Sequence, residues 1–389
     1  MEPDELLAII SRGEDSAHQF KANAHNAVSI AEEMVAFSNS GEGQMLIGVT
    51  DDGDIAGLTQ EDIRRINQLV ANAASENVRP PINPHTENVP LPDGLVMIVT
   101  IPNGISKPYM TTQGSILVRC GSDKRKVTAR EEIQRMFQSA GLIHGDETPA
   151  NGLTPADIDM DYFRAFFKRE YGERLDDQEV AFAQLLENMN LAKEGILNVA
   201  GAQLFAGRAH FRLPAFIVKA VSYPGTTIDE EDYLDSRDIM GKLADVFQQT
   251  LSFVVGNLRH TQGEKGVNAP GEPEIPRIAL EELLTNALIH RDYFIAAPVR
   301  VFIFSDRVEI INPGHLPNDL TIENIKAGNS NIRNPVLASF ATKILPYRGL
   351  GNGVRRALKA YPAIAFEDDH DRNLFKVTVA RNPHEGGPG

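Results

Sequence analysis

The chain has a single cysteine, Cys120. One thiol cannot form an internal disulfide, and it removes any cysteine-built zinc site. Both exclusions point to a reducing compartment, so the cytoplasm is the expected location. No apolar run is long enough to span a bilayer, and no membrane partner is expected. The N-terminus, MEPDELLAIISRGED, is acidic and lacks the charged-then-apolar pattern of a secretory signal. There is no GxxxxGK[ST] phosphate loop: Gly241-Lys242-Leu243 lacks both the upstream glycine and the Ser/Thr, so helicase motor activity is not expected. Positive charge is also scarce, with 38 Lys plus Arg against 53 Asp plus Glu and a net charge of −15. General nucleic-acid binders need basic surface to displace counterions from phosphates, so any such binding must come from a local patch.

Length is ample. A chain of 389 residues exceeds one ordinary core, which implies two or three domains. The pattern reads as α+β and multidomain. Residues 1–145 form one α+β unit, 150–262 a mainly helical middle region that starts the C-terminal unit, 263–383 the C-terminal module and 384–389 a tail. In the first unit the spacing predicts helices over 3–10, 29–38, 61–75 and 128–140. The last has Thr128 as N-cap and Glu131 at the capping-box position. Strands are predicted over 18–21, 44–49, 95–101 and 115–119, with Asp51-Asp52-Gly53-Asp54 as a hairpin turn. Residues 141–155, polar with Gly, Pro and Asn, mark a boundary. Beyond it, helices are predicted over 158–170, 179–189, 278–290 and 354–361, with a long amphipathic helix over 235–259. Strands are predicted over 214–221, 299–304, 307–311 and 374–379, and 261–276 reads as a loop. Neither an internal repeat nor a low-complexity segment is present.

The segment EELLTNALIHRDY places Glu282, Asn286 and His290 at i, i+4 and i+8, on one helix face. An amide oxygen there can ligate a hard cation such as Mg2+, and a carboxylate one turn earlier can orient water toward a γ-phosphate. By itself this spacing is more often a solvated helix face. Two later segments alter that balance. Asn312-Pro313-Gly314-His315-Leu316 follows a strand, and Gly349-Leu350-Gly351-Asn352-Gly353 precedes a helix. A glycine-rich turn that opens a helix lets backbone N–H groups approach phosphates. The stretches ExxxNAxxHRDY, RVEIINPGHLP, SNIRNP and RGLGNGVRR, from about 271 to 361, resemble the GHKL-type ATPase module of bacterial RecG-like proteins and transcriptional regulators. That resemblance implies a GHKL-like α/β sandwich, with ATP and Mg2+ as ligands. It assigns Glu282 as general base, Asn286 as the Mg2+ ligand, Gly314, Gly349, Gly351 and Gly353 to the glycine boxes, and residues 330–335, with Arg333, to the lid. His290 joins the nucleotide-binding set. One departure is Asn312, in NPG where the family carries an aspartate in DxG. Its oxygen accepts the adenine amino bond as a neutral group.

At the other end, Gly13-Glu14, Gln19-Phe20-Lys21 and AFSNSGEGQMLIGVTDDGDIAGL resemble the Schlafen/AlbA-type domain, and the match continues through Tyr109 to Arg119-Cys120-Gly121-Ser122. The resemblance implies nucleic-acid binding, and an RNA-cleaving nuclease branch exists. In that branch paired carboxylates and a third acidic group hold a divalent metal. Glu14 matches the first metal-ligand position, but the second is Gln19, a weaker and neutral ligand. Asp51 or Asp52 could supply the third, although DDG after a strand is an ordinary hairpin turn. The expectation is therefore a binding module. Its phosphate-contacting candidates are Lys21, Arg119, Lys124, Arg125 and Lys126, with Arg130 nearby. A solvated charged loop is the alternative.

The middle region holds no catalytic spacing. His210 and Cys120 lack partners at ligand spacing and read as structural, and the broad apolar face of the 235–259 helix reads as core or as a homodimer contact. The combined expectation is a bacterial transcriptional regulator that touches nucleic acid, DNA before RNA, and senses a nucleotide. The chain stops near Arg381 without a winged helix, so promoter reading by such a module is not expected. The rivals are a metal-dependent nuclease regulated by ATP and a scaffold whose two modules have lost their ligands.

Overall fold

The computed structural model describes residues 1–228, 232–261, 271–317 and 320–381. The chain divides into two compact units, Met1–Leu142 and Ile143–Gly389. Part of the loop expected over 261–276, and the tail at 384–389, lie outside the described residues. Among the described residues no helix is long and apolar enough to cross a membrane.

The first unit runs α1 (Pro3–Arg12), β1 (His18–Lys21), α2 (Ala27–Ser40), β2 (Gly43–Ile47), α3 (Gln60–Asn72), β3 (His85–Leu91), β4 (Gly94–Ile101), β5 (Leu117–Cys120), β6 (Asp123–Lys126) and α4 (Arg130–Ser139). Its sheet has the order β1-β2-β4-β3, with β1 parallel to β2 and the other pairings antiparallel. One sheet face packs on α2 and α3 through Met45, Ile47, Met97 and Val99. The other meets α1 through Phe20, Leu46, Val96 and Ile98. That alternation is the period-2 signature of a strand covered on both faces. α3 starts where Thr59 and Asp62 form a capping box, and it buries Ile63, Ile66 and Val70 along one stripe. β3, unanticipated from the sequence, is polar and mostly exposed at the sheet edge.

α4 departs from expectation at its start. Its N-cap is Ala129 without a side-chain hydrogen bond, and Thr128 lies outside the helix. The reason is the hairpin before it: Val127 is buried and its N–H donates to Ile116 O at 2.9 Å, which keeps the chain extended up to Thr128.

The second unit contains α5 (Met160–Tyr171), α6 (Phe182–Asn188), α7 (Val199–Phe205), β7 (Val218–Ser222), β8 (Asp235–Ile239), α8 (Leu243–Gly256), α9 (Arg277–His290), β9 (Val299–Ile303), β10 (Arg307–Pro313), α10 (Ile322–Ala327), α11 (Pro335–Ile344), α12 (Gly353–Ala360), β11 (Ile364–Asp369) and β12 (Leu374–Ala380). Six strands form one sheet in the order β8-β7-β9-β10-β12-β11, with only β7 and β9 parallel. Val299, Val301, Ile303, Val308 and Ile310 face the helical layer, in one core with α8 and α9. Phe302, Phe304 and Ile311 form a small cluster on the opposite face.

The long helix expected over 235–259 is two elements. Asp235–Ile239 pairs antiparallel with β7, Val218 opposite Ile239, and the helix begins only at Leu243. Ile239 satisfies both periodicities, being buried either as a helical i−4 neighbour of Leu243 or as the inward end of an edge strand. Pairing with β7 settles the choice, since β-strand formation depends on a partner that lies far off in sequence. α10, α11 and β11 were likewise unanticipated.

Candidate nucleotide cavity and the basic cluster

α9 is buried over most of its length, between the sheet, α8 and α12. Its Glu282, Asn286 and His290 share one face, and they line a cavity together with Asn312, Gly314 and Arg333. Gly349, Gly351 and Gly353 complete the same cavity, so every C-terminal residue singled out from the sequence comes together.

The polar groups in the cavity are held in different ways. Asn286 Nδ2 donates to Glu282 O at 2.8 Å, which leaves its Oδ1 oxygen for a ligand. Asn312 lies buried on β10, and its Oδ1 has no hydrogen-bond partner. The Glu282 carboxylate is 2.6 Å from Arg356 Nη2. Burial raises its pKa, and Arg356 opposes that rise. His290 is pushed down to about 4, chiefly by burial with the Arg333 charge adding, and Tyr347 Oη lies 3.4 Å from its Nε2. At neutral pH it is an uncharged imidazole. Arg333 ties two cavity walls together: its Nη2 donates to His315 O at 2.7 Å and its Nη1 to His290 O at 3.4 Å.

The glycine turn sits where side chains would obstruct. Gly351 has φ +69°, and a Cβ there would lie 2.6 Å from Gly328 O. A Cβ on Gly353 would lie 2.5 Å from Glu282 Oε2 and 3.1 Å from Asn286 Nδ2. The first residue of α12 thus rests against both functional groups of α9. Asn352 makes no side-chain cap, so the first N–H groups of α12 keep their capacity for an anion. Arg356, one turn further along α12, was missed as a site residue. The signal was present, since it ends the quoted RGLGNGVRR run on the same helix face as Gly353.

The residues present fit a nucleotide with a hard cation. Asn312 Oδ1 is a buried acceptor, Asn286 Oδ1 is a hard oxygen ligand, and the α12 start offers backbone donors.

The N-terminal candidates also converge, but on a carboxylate. Glu33 of α2 is buried, and it lies 3.5 Å from Lys21, 3.3 Å from Arg119 and 2.7 Å from Lys124. The Arg119 side chain is only 3% exposed. Its terminal nitrogens donate to Gln19 Oε1, Asp15 O and Ser122 O as well. Arg125 pairs with Glu132 at 2.6 Å, and Lys126 is exposed at the end of β6. Lys21, Arg119 and Lys124 thus share an ion network around Glu33, which sits in a helical apolar run and gave no sign of facing the hairpin, while Arg125 and Lys126 stay exposed. Glu14 Oε1 accepts from Phe20 N at 2.7 Å and from Gln19 Nε2. Asp51 and Asp52 are exposed in the turn closed by the Val49–Ile55 bridge. Glu14 therefore belongs to no three-residue ligand cluster among the described residues. Cys120 is an exposed free thiol rather than a packing residue.

Residues 14–128 match the family model Schlafen, AlbA_2, and residues 296–378 match the one described as Putative ATP-dependent DNA helicase recG C-terminal. The chain carries these two domains, and α9 with Glu282 and Asn286 lies just upstream of the second match. No curated protein matches. Among solved structures, the DIP2311 protein from Corynebacterium diphtheriae is 22% identical, with 98% of this chain and 80% of that chain covered and a TM-score of 0.46. The N-terminal domain of a Putative ATP-dependent DNA Helicase RecG-related Protein from Nitrosomonas europaea is 18% identical, with 33% of this chain and 96% of that one covered and a TM-score of 0.25.

Proposed function

We propose that the second unit binds ATP with Mg2+ in the cavity between α9, β10 and α12, and that the first unit contacts nucleic acid, DNA in preference to RNA. On this reading the chain is a nucleotide-responsive transcriptional regulator of bacterial type. The observation that carries it is Asn312 Oδ1, buried without a partner on the wall of a cavity that also holds Asn286 and the uncapped start of α12. A buried acceptor left unpaired costs about 1–3 kcal/mol, which a ligand donor such as an adenine amino group offsets. Asn286 would hold Mg2+ and the α12 N–H groups the phosphates, while Arg333 keeps the cavity walls together. Bound Mg2+ supplies charge neutralisation at the phosphates. Among the described residues lining the cavity, Glu282 is the one carboxylate, and it is placed to take a proton from water. Its pairing with Arg356 must loosen before it does so, which fits binding and sensing better than fast turnover.

The test is calorimetric titration of ATP with Mg2+ into the full chain and its Asn286→Ala variant. Binding that the variant loses supports the reading. No binding at millimolar ATP removes it.

A further inference from the structure

At the edge of the cavity, on the loop after β10, the end of β11 and the turn that follows it, His315, Asp368 and His370 offer ligand atoms that all lie within 4.8 Å of one another. They are the only such group of His, Cys, Asp and Glu among the described residues. We propose that these three residues form a site for a borderline divalent metal ion of the zinc class, separate from the oxygen site at Asn286.

The hydrogen bonds around the three groups favour ligation. His315 Nδ1 lies 2.7 Å from Leu316 O. A carbonyl only accepts, so Nδ1 carries the proton and Nε2 keeps its lone pair. Asp368 Oδ1 accepts from Leu316 N at 2.8 Å, which leaves Oδ2 for the ion. His370 Nε2 lies 3.0 Å from that Oδ2. The same short segment, His315-Leu316, therefore orients both an imidazole and a carboxylate from behind, the outer-shell bracing that metal ligands require. Asn373 braces it further: its Oδ1 accepts from His315 N at 3.2 Å and its backbone oxygen from Gly314 N at 2.9 Å.

Size and ligand chemistry select the ion. Zinc–nitrogen and zinc–oxygen bonds of about 2.0–2.2 Å place tetrahedral ligand atoms about 3.4 Å apart. The three ligand atoms already lie within 4.8 Å of one another, and His370, whose side chain is 68% exposed, has room to turn toward the other two. Two imidazoles and one carboxylate suit Zn2+ or Co2+, whereas Mg2+ and Ca2+ demand oxygen. Three protein ligands leave a fourth position for water, so the ion would be exchangeable. His315 also lines the nucleotide cavity, so a bound ion would brace one edge of it. The proposal does not rest on nucleotide binding, because the ion is tested alone.

The experiment uses untagged full-length protein without nucleotide. Co2+ is titrated and followed by its visible absorption, and Zn2+ by calorimetry. The expected result is one equivalent of either ion. His370→Ala and His315→Gln should each weaken it by about tenfold or more, and a large excess of Mg2+ should not displace it. Metal-free melting of His370→Ala should match the wild type, since that side chain is exposed. Absence of binding would overturn the proposal. So would an affinity unchanged in both variants, because the ion would then sit on other histidines.

Discussion

The two clusters of polar side chains differ in what they leave unpaired. In the first unit, Lys21, Arg119 and Lys124 meet a buried Glu33, and both terminal nitrogens of Arg119 are engaged by the protein, although its Nε is buried without a partner. In the second unit the Oδ1 atoms of Asn312 and Asn352 are buried without partners at a cavity. Gathered charge therefore does not by itself mark a ligand site. Charges that neutralise one another hold a hairpin to a helix, whereas polar atoms that are gathered and left unpaired are disposed to take a ligand.

The largest effect should come from Glu33→Gln. Removing the carboxylate leaves a buried Arg119 beside the half-buried Lys21 and Lys124, at a cost of about 3–5 kcal/mol in the denaturation of the full chain. A variant as stable as the wild type, with tighter DNA binding, would instead make this cluster a phosphate site held in check. Next is the cavity. Asn286→Ala should weaken ATP with Mg2+ by about 10–100-fold, the loss of one hydrogen-bonding or ligating contact to a charged group. Asn312→Leu should weaken it by roughly tenfold without lowering the melting temperature, because leucine deletes an acceptor that lacks a partner. A clear loss of stability in Asn312→Leu would mean that the oxygen is satisfied in the free protein.

A third prediction concerns acid, where the half-buried His290 and the buried Asp146 of the second unit oppose each other. His290 has its pKa pushed down to about 4, so between its ordinary value of 6.5 and 4 the unfolded chain binds the extra proton and stability falls as pH falls. Asp146 is raised to about 6 by burial, while its Oδ2 accepts from Leu337 N at 2.8 Å. Between 6 and 3.8 the folded state binds its proton first, and stability rises as pH falls. The wild type should therefore show a shallow pH dependence from 6 to 4. His290→Asn should become more stable toward acid, and Asp146→Asn less, each by up to about 1.4 kcal/mol per pH unit. Parallel curves for all three proteins would show that neither group is perturbed. The smallest effect belongs to Lys126→Ala. If this exposed residue touches phosphate, the slope of log affinity for DNA against log salt should drop by about one. An unchanged slope would remove the β6 end from the interface.

The cavity was legible because its parts are local patterns: carboxylate and amide at i and i+4 on α9, and glycines before α12, each dictated by backbone geometry within one turn or one helix face. The strands over 18–21, 95–101 and 299–304 were legible for the same reason. The 235–259 segment was not, because Ile239 fits two periodicities and only β7 decides between them. Thr128 misled as a helix cap because the hairpin pairing extends to Val127.

The order of α9, β10 and α12, the residue types on their facing sides and the scarcity of cysteine and of positive charge were determined by the sequence alone. Partner choice was decided in three dimensions. Glu33 collects Arg119 and Lys124 from 86 and 91 residues away, and Arg356 comes to rest on Glu282. His315 meets Asp368 and His370 only because β10 and β11 both pair with β12. A charge in a sequence is written without its counter-charge. Burial makes an unpaired charge costly, so the fold must bring the two together, and that pairing is what separates a structural ion network from a site.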